Sequence, residues 1–355
     1  MLILCFMRLL AVFSLVSALS WVTAVGFAQP LPPGDPPSLP DPLSVPGWLF
    51  PPNRPAPANP PPVDNVKLLH TPNSDVAFTA AQLTNLFSVP DWHPQTHSPM
   101  PEIVARGRPP SVFACGFCHM PRGQGRPENA ALAGLPAQYI IQQIADFKSG
   151  ARRGAPQDYL PSTSMVQIAK NLSPADLSAA ADYFAAQRMT RRTRVVETAR
   201  APKANAVAWI YVADAKGATE PLGQRLLEMT HDLELHEHRA DGLLYVAYVP
   251  FGSIGRGKSL AQAAGTGGAP GIDRAPSIGG APRTGCVACH GEGLHGVGLI
   301  PPLAGRSPTY ILRQLVAFKT GARAGPAGEP MKAVVAGMTL NNMIDAAAYA
   351  GSLQP

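Results

Sequence analysis

The stretches Cys115-Gly116-Phe117-Cys118-His119 and Cys286-Val287-Ala288-Cys289-His290 decide the reading of this chain. C-x-x-C-H is the attachment pattern of c-type haem. Two intervening residues let both thiols reach vinyl groups on neighbouring pyrroles, and a His directly after the second Cys lies under the metal. A redox C-x-x-C or half of a zinc site is the rival chemistry, but neither needs a His at that fixed place. The motifs therefore assign Cys115, Cys118, Cys286 and Cys289 as covalent attachment points and His119 and His290 as iron ligands. Two covalently bound haem c groups are the expected cofactors.

Outward from the motifs the sequence repeats. At a constant offset of 171, Leu132-Ala133-Gly134 maps onto Leu303-Ala304-Gly305, Tyr139 onto Tyr310, and Gln143 onto Gln314. Phe147-Lys148 maps onto Phe318-Lys319, and Gly150-Ala151-Arg152 onto Gly321-Ala322-Arg323. From 115 to 152, 15 of 38 positions are identical without a gap, which marks an internal duplication. Past Arg152 the offset falls to 166, through a loop five residues shorter in the second copy. Met165 then matches Met331, Ser173 matches Thr339, and Tyr183 matches Tyr349.

This pairing selects Met165 and Met331 from the ten methionines as sixth iron ligands. A lone Met is usually core filler; two at matched places after matched haem motifs are not. Met/His ligation raises the haem potential, as electron-transfer cytochromes require. Between motif and methionine, the spacing of Tyr139, Ile140, Gln143, Ile144 and Phe147 predicts a helix over 138–148, stopped by Gly150. Ser173-Pro174-Ala175-Asp176 predicts a capped helix start with Leu177, Ala181 and Phe184 on one face.

The remaining chain frames these units. Residues 1–28 read as an export signal: Arg8 is the only charge, an apolar run follows, and Gly26-Phe27-Ala28 offers small residues for cleavage. The rival reading is an uncleaved anchor, since Leu9 to Ala28 is 20 residues without a charge, just long enough to span a bilayer. Residues 29–62 hold 15 prolines and read as a polyproline-II spacer with almost nothing to pack. Globular composition begins near Val76, where Phe78–Phe87 is helix-like. His93 and His97 precede the first motif, and flanking prolines favour simple exposure over iron ligation. Of five cysteines only Cys5 is unused, so no disulfide framework is implied. The formal charge of +6 comes without a basic stripe interleaved with aromatics, so no nucleic-acid partner is expected.

These residues resemble the duplicated di-haem class I cytochromes c, soluble periplasmic carriers built from two linked cytochrome folds. The resemblance rests on C-x-x-C-H, the Leu-Ala-Gly plus Tyr…Gln…Phe-Lys-x-Gly-Ala-Arg block, and the late Met before a capped helix. It covers about 100–188 and 252–353. It implies axial ligation by His119/Met165 and His290/Met331. It also implies a proline before the Leu-Ala-Gly whose carbonyl receives the proximal His Nδ1–H. Pro302 fits that place in the second unit, whereas the first has Ala131 and hence a less constrained proximal loop. Arg152 and Arg323 are candidates to serve the propionates, although helix-end arginines also cap carbonyls.

The chain departs from that family in its middle, where about 60 residues replace a short linker. They begin basic (Arg191, Arg192, Arg194) and show strand-like runs at Ala206–Val212 and Leu243–Val249. His231, His236 and His238 stand among Asp232, Glu234 and Glu237, so a metal site on a strand competes with a plain charged surface. Gly255-Arg256-Gly257-Lys258 opens the second unit, and 264–284 reads as a surface loop.

The expected fold is mainly α. Two class I cytochrome c domains, 76–189 and 252–355, are joined by a small β-containing insert at 190–251. A signal peptide or anchor (1–28) and a disordered proline-rich linker (29–75) precede them. The expected function is a carrier, not an enzyme: an exported di-haem cytochrome passing single electrons by outer-sphere transfer between redox protein partners. Its expected place is the periplasm of a Gram-negative bacterium. Two alternatives stand beside it. One is a cytochrome subunit of a membrane-bound dehydrogenase or oxidase, associated with the inner membrane through the N-terminal segment or the partner complex. The other is a di-haem peroxidase-type enzyme, which needs an open iron site that the matched methionines argue against.

Overall fold

The computed structural model describes residues 45–53, 64–263 and 285–355. The segment expected to be a signal or anchor, most of the expected proline-rich linker and the expected 264–284 loop lie outside the described residues. Among those described, no helix is long and apolar enough to cross a membrane.

Helices dominate both repeat units. In the first, a β1/β2 pair (Leu68–Leu69 with Phe78–Thr79) leads into α1 (Ala80–Thr84). Thr79 caps α1 through a capping box with Gln82, so the expected helical run starts two residues late and ends early. Then come α2 (Glu102–Ala105), α3 (Cys115–His119), α4 (Ala137–Ser149), α5 (Leu160–Asn171) and α6 (Pro174–Ala185). Gly150 ends α4 in the left-handed conformation, and the Ser173 hydroxyl accepts from Asp176 N to start α6, both as the spacing predicts. Ile103, Leu135, Ile140, Ala181 and Phe184 form the centre of this unit's core.

The insert carries β3 (Thr193–Glu197), β4 (Arg200–Pro202), β5 (Ala204–Val207), β6 (Ile210–Ala213), β7 (Thr219–Pro221), β8 (Leu227–Thr230), α7 (Leu233–Glu237) and β9 (Tyr245–Val249). Five strands make one mixed sheet in the order β3-β9-β8-β6-β5, with β3/β9 and β6/β8 parallel; β4 and β7 pair separately. The run expected as one strand over 206–212 is a tight hairpin instead. Ala208 and Trp209 both take positive φ, the turn that matches strand twist. The His231–His238 stretch is also not a strand: Asp232 caps Leu235 N and winds residues 233–237 into α7. Among the described residues no cluster of His, Cys, Asp or Glu is placed to hold a metal ion.

The second unit follows as α8 (Ser253–Gln262), α9 (Val287–His290), α10 (Pro308–Lys319), α11 (Glu329–Ala336) and α12 (Leu340–Ser352). α8 crosses α12 at Gly257, where a Cβ would run into the Asp345 carbonyl and Tyr349 Cβ; only glycine allows that approach. Lys319 Nζ donates to the Val335, Ala336 and Met338 carbonyls, a cation on the orphan groups of a helix C-terminus.

The backbone carries the duplication further than side-chain identity does. Met120 and Gly291 share φ of 72° and 76°, and Gly123 and Leu294 share 72° and 59°. Each pair is separated by 171 positions, and neither is conserved in residue type. Matched bonds run from Gly125 N to His119 O and from Gly296 N to His290 O.

Part of the linker is not spacer. Gly47–Leu49 form a 3-10 turn whose Leu49 is buried in the second unit's core beside Leu312, Val316 and Ile344. Arg313 Nε donates to Leu49 O, Tyr211 OH to Trp48 O, and Ala208 N to Asn53 Oδ1. Three consecutive large apolar residues, Trp48-Leu49-Phe50, supply the packing that the surrounding prolines lack.

Candidate functional site

The two C-x-x-C-H motifs fold alike. Each winds into a single turn of helix, α3 and α9, whose last residue is the histidine. His119 Nδ1 lies 2.8 Å from the Ala130 carbonyl, and His290 Nδ1 lies 2.8 Å from the Pro301 carbonyl. A carbonyl can only accept, so Nδ1 carries the proton and Nε2 keeps its lone pair. Among the described residues neither Nε2 has a hydrogen-bond partner. Both rings are buried.

The acceptors stand one residue earlier than the Pro302/Ala131 pair expected from the family pattern. The Ala131 and Pro302 carbonyls instead accept from Arg306. The contrast between the units persists, because proline in the second unit again meets alanine in the first.

Electrostatics keep both imidazoles neutral. Burial lowers the pKa of each, and a cation adds to it: Arg152 on His119, Arg323 on His290. Neutral imidazole is the metal-binding form. Burial pushes the Cys115 thiol up to about 12 and raises Cys118 and Cys286 as well. These thiols are therefore not thiolate nucleophiles of the redox kind.

Three guanidiniums gather between the units. Arg152 donates to Gln143 of its own unit and to Tyr310 and Gln314 of the other. Arg323 does the reverse, donating to Gln314, Tyr139 and Gln143. Arg306 reaches the Ala131 and Ala133 carbonyls. All three are buried, and none forms an ion pair among the described residues. Burial pulls Arg306 down to about 10. Buried charges normally carry partners, so this cluster suits an acidic group beside the two histidines.

The donor set fits haem c. Paired thiols, a neutral imidazole fixed by a backbone carbonyl, and unpaired buried guanidiniums suited to propionates are present at both sites. Met165 sits within α5 and Met331 within α11, both half-buried, with Met331 against the second core. His93 and His97 are engaged elsewhere: His93 bonds Asp241 and the Asn73 carbonyl, His97 the Ser98 carbonyl and Asp91.

Sequence reasoning missed the polar group that joins the insert to the first motif. Arg126 and Glu128 pair at 3.0 Å, both buried. Arg126 also contacts the His236 ring and donates to the His236 carbonyl. Arg239 lies over the Phe117 ring. The contacts of Arg126 with His236 and of Arg239 with Phe117 span more than 100 residues of chain, beyond any local signal.

The family model for cytochrome c matches residues 105–187. The "Thiosulfate dehydrogenase electron acceptor" of Thiomonas intermedia (strain K12) is 27% identical over 220 residues, covering 61% of this chain and 68% of that protein. "Cytochrome c4" of Azotobacter vinelandii is 37% identical over 81 residues, covering 21% of this chain and 37% of the relative. "Cytochrome c-554(548)" of Halomonas halodenitrificans is 37% identical over 68 residues, covering 19% of this chain and 82% of the relative.

Proposed function

The chain belongs to the cytochrome c family, and from that premise we propose that it is an exported di-haem electron carrier with no substrate chemistry of its own. Haem c, when bound, supplies a one-electron iron couple. The observation that carries the reading is the matched pair of buried imidazoles, each held with Nδ1 on a loop carbonyl.

In this reading Cys115, Cys118, Cys286 and Cys289 form the thioether links, and His119 and His290 present Nε2 to iron. With haem bound, Met165 and Met331 would be the second protein ligands, which would exclude peroxide and raise the potential. Arg152, Arg306 and Arg323 hold the propionates and offset their charge. Imidazoles buried and fixed on backbone carbonyls would keep reorganisation small, which suits outer-sphere transfer. The relative from Thiomonas intermedia is named for accepting electrons from a thiosulfate dehydrogenase. A periplasmic dehydrogenase is accordingly the class of donor to try first, whether the cytochrome meets it freely or as a bound subunit.

The test is an optical spectrum of the purified holo-protein, oxidised and reduced, with and without carbon monoxide, beside a haem count. Two haems per chain, low-spin bands in both states and no change with carbon monoxide are expected. One haem per chain overturns the di-haem reading. Carbon monoxide binding at one of two haems overturns the methionine at that site and reopens peroxidase chemistry.

A further inference from the structure

Cys118, Phe117 and the loop 125–130 of the first unit lie beneath the insert, whereas their counterparts in the second unit do not. Phe117, Arg126, Glu128 and Asn129 correspond to Ala288, Val297, Leu299 and Ile300 at the 171 offset. Phe117, Arg126 and Glu128 are buried and Asn129 is half-buried, whereas all four counterparts are exposed. Arg192 of β3's approach donates to the Gly125 carbonyl, and Trp92 Nε1 donates to the His238 carbonyl, which pins the insert in place.

The cap is charged. The Arg239 guanidinium carbon lies 3.6 Å from the centroid of the Phe117 ring, between the two attachment cysteines in sequence. Its Nε is buried without a hydrogen-bond partner, and it forms no ion pair among the described residues. Arg239 follows the end of α7 at φ 56°, a left-handed position where glycine or asparagine is usual. An arginine held there works against backbone preference. Its neighbours do not cancel it: Glu128 is committed to Arg126 at 3.0 Å, and His236 is held neutral by burial and by the adjacent Arg126, Arg239 and Arg192. Among the described residues no cation stacks on the second motif as Arg239 does on the first.

We propose that the insert is a redox-tuning cap, in which Arg239 makes the first haem site the preferred seat of the electron. A fixed cation disfavours the oxidised state, which carries one more positive charge, and does so most where water is excluded. With one electron shared between two sites, the balance moves toward the site beside the cation. This rests on the reading of both motifs as haem sites.

The test is an NMR redox titration of the full holo-protein. Each site is followed through signals of its own attachment residues, Cys118 and His119 against Cys289 and His290. In Arg239→Gln the share of the electron on the first site, relative to the second, falls at least threefold; Arg239→Lys keeps the original ratio. Glu128→Gln removes the anion beside Arg126 and moves the ratio the other way, which tests the same charge effect should Arg239→Gln fail to fold. An unchanged ratio in the glutamine variants, or equal shifts at both sites, overturns the proposal. A haem count on the same samples separates the two readings: fewer than two haems per chain removes the di-haem premise, and this inference with it.

Discussion

Arg152 and Arg323, equivalent positions of the duplication, pair in an antiparallel bridge across the two units, and each guanidinium bonds the tyrosine and glutamine of the opposite repeat. Arg153 N donates to Ala322 O, and Ala324 N to Ala151 O. One sequence block, used twice, thus makes both halves of its own interface. The arrangement explains why Tyr, Gln and Arg are identical in both copies although they are polar, with Gln143 and both arginines buried and the other three half-buried.

The two arginines should behave as one unit. Arg152→Met leaves Tyr310 without its guanidinium donor and Gln314 with Arg323 alone, at a cost of about 1–3 kcal/mol. Arg152→Met with Arg323→Met should cost more than the two singles added, because Gln143 and Gln314 each keep one guanidinium donor in either single variant and none in the double. Urea midpoints of the four proteins measure this. Strict additivity would mean that the two repeats contribute separately.

α4, the αL stop at Gly150 and the Ser173 cap were legible because each depends on neighbours within about a dozen residues. The duplication is what singles out Met165 and Met331 as proposed ligands. The mixed sheet was not legible, since β3 pairs in parallel with β9 some fifty residues away and no local pattern states that. The docked turn at Trp48-Leu49-Phe50 was masked by composition: prolines exclude regular structure but do not prevent three apolar side chains from packing. The cap over Phe117 depends on Arg239, whose neighbours in sequence say nothing of that ring.

Removing a sixth ligand should separate the two sites optically. Met165→Ala should let carbon monoxide bind about half of the haem and lower one of the two potentials, in line with the loss of Met/His ligation. Met331→Ala should do the same at the other site. If both variants keep the unaltered spectrum and remain closed to carbon monoxide, the methionines are core residues and another side chain closes the iron.

Leu49 belongs to the core of the second unit although it comes from the linker. Leu49→Ala should cost about 2–4 kcal/mol, the usual range for a buried leucine truncated to alanine. The side chain fills space beside Leu312 and Val316, which sit on a helix that cannot collapse into the gap without disturbing Arg313. Thermal unfolding of the variant checks this. A loss under 0.5 kcal/mol, the usual scale of a surface substitution, would show that the turn is only laid on the surface.

The contact of His93 with Asp241 ties the segment before the first motif to the insert, with Nδ1 2.8 Å from Oδ1. Burial opposes protonation of His93, but the Asn73 carbonyl and the Asp241 carboxylate outweigh it and hold its pKa above the ordinary histidine value. A histidine raised on folding binds its proton more tightly when folded. Its contribution is therefore complete below the unfolded pKa of about 6.5 and fades as pH rises through the folded value. Asp241→Asn removes the acceptor charge, so the gap in urea midpoint between the native protein and this variant should be widest near about pH 5.5 and close toward about pH 9. A gap of constant width across that range would mean that the contact acts as a neutral hydrogen bond, and that the imidazolium plays no part in holding the insert against the first unit.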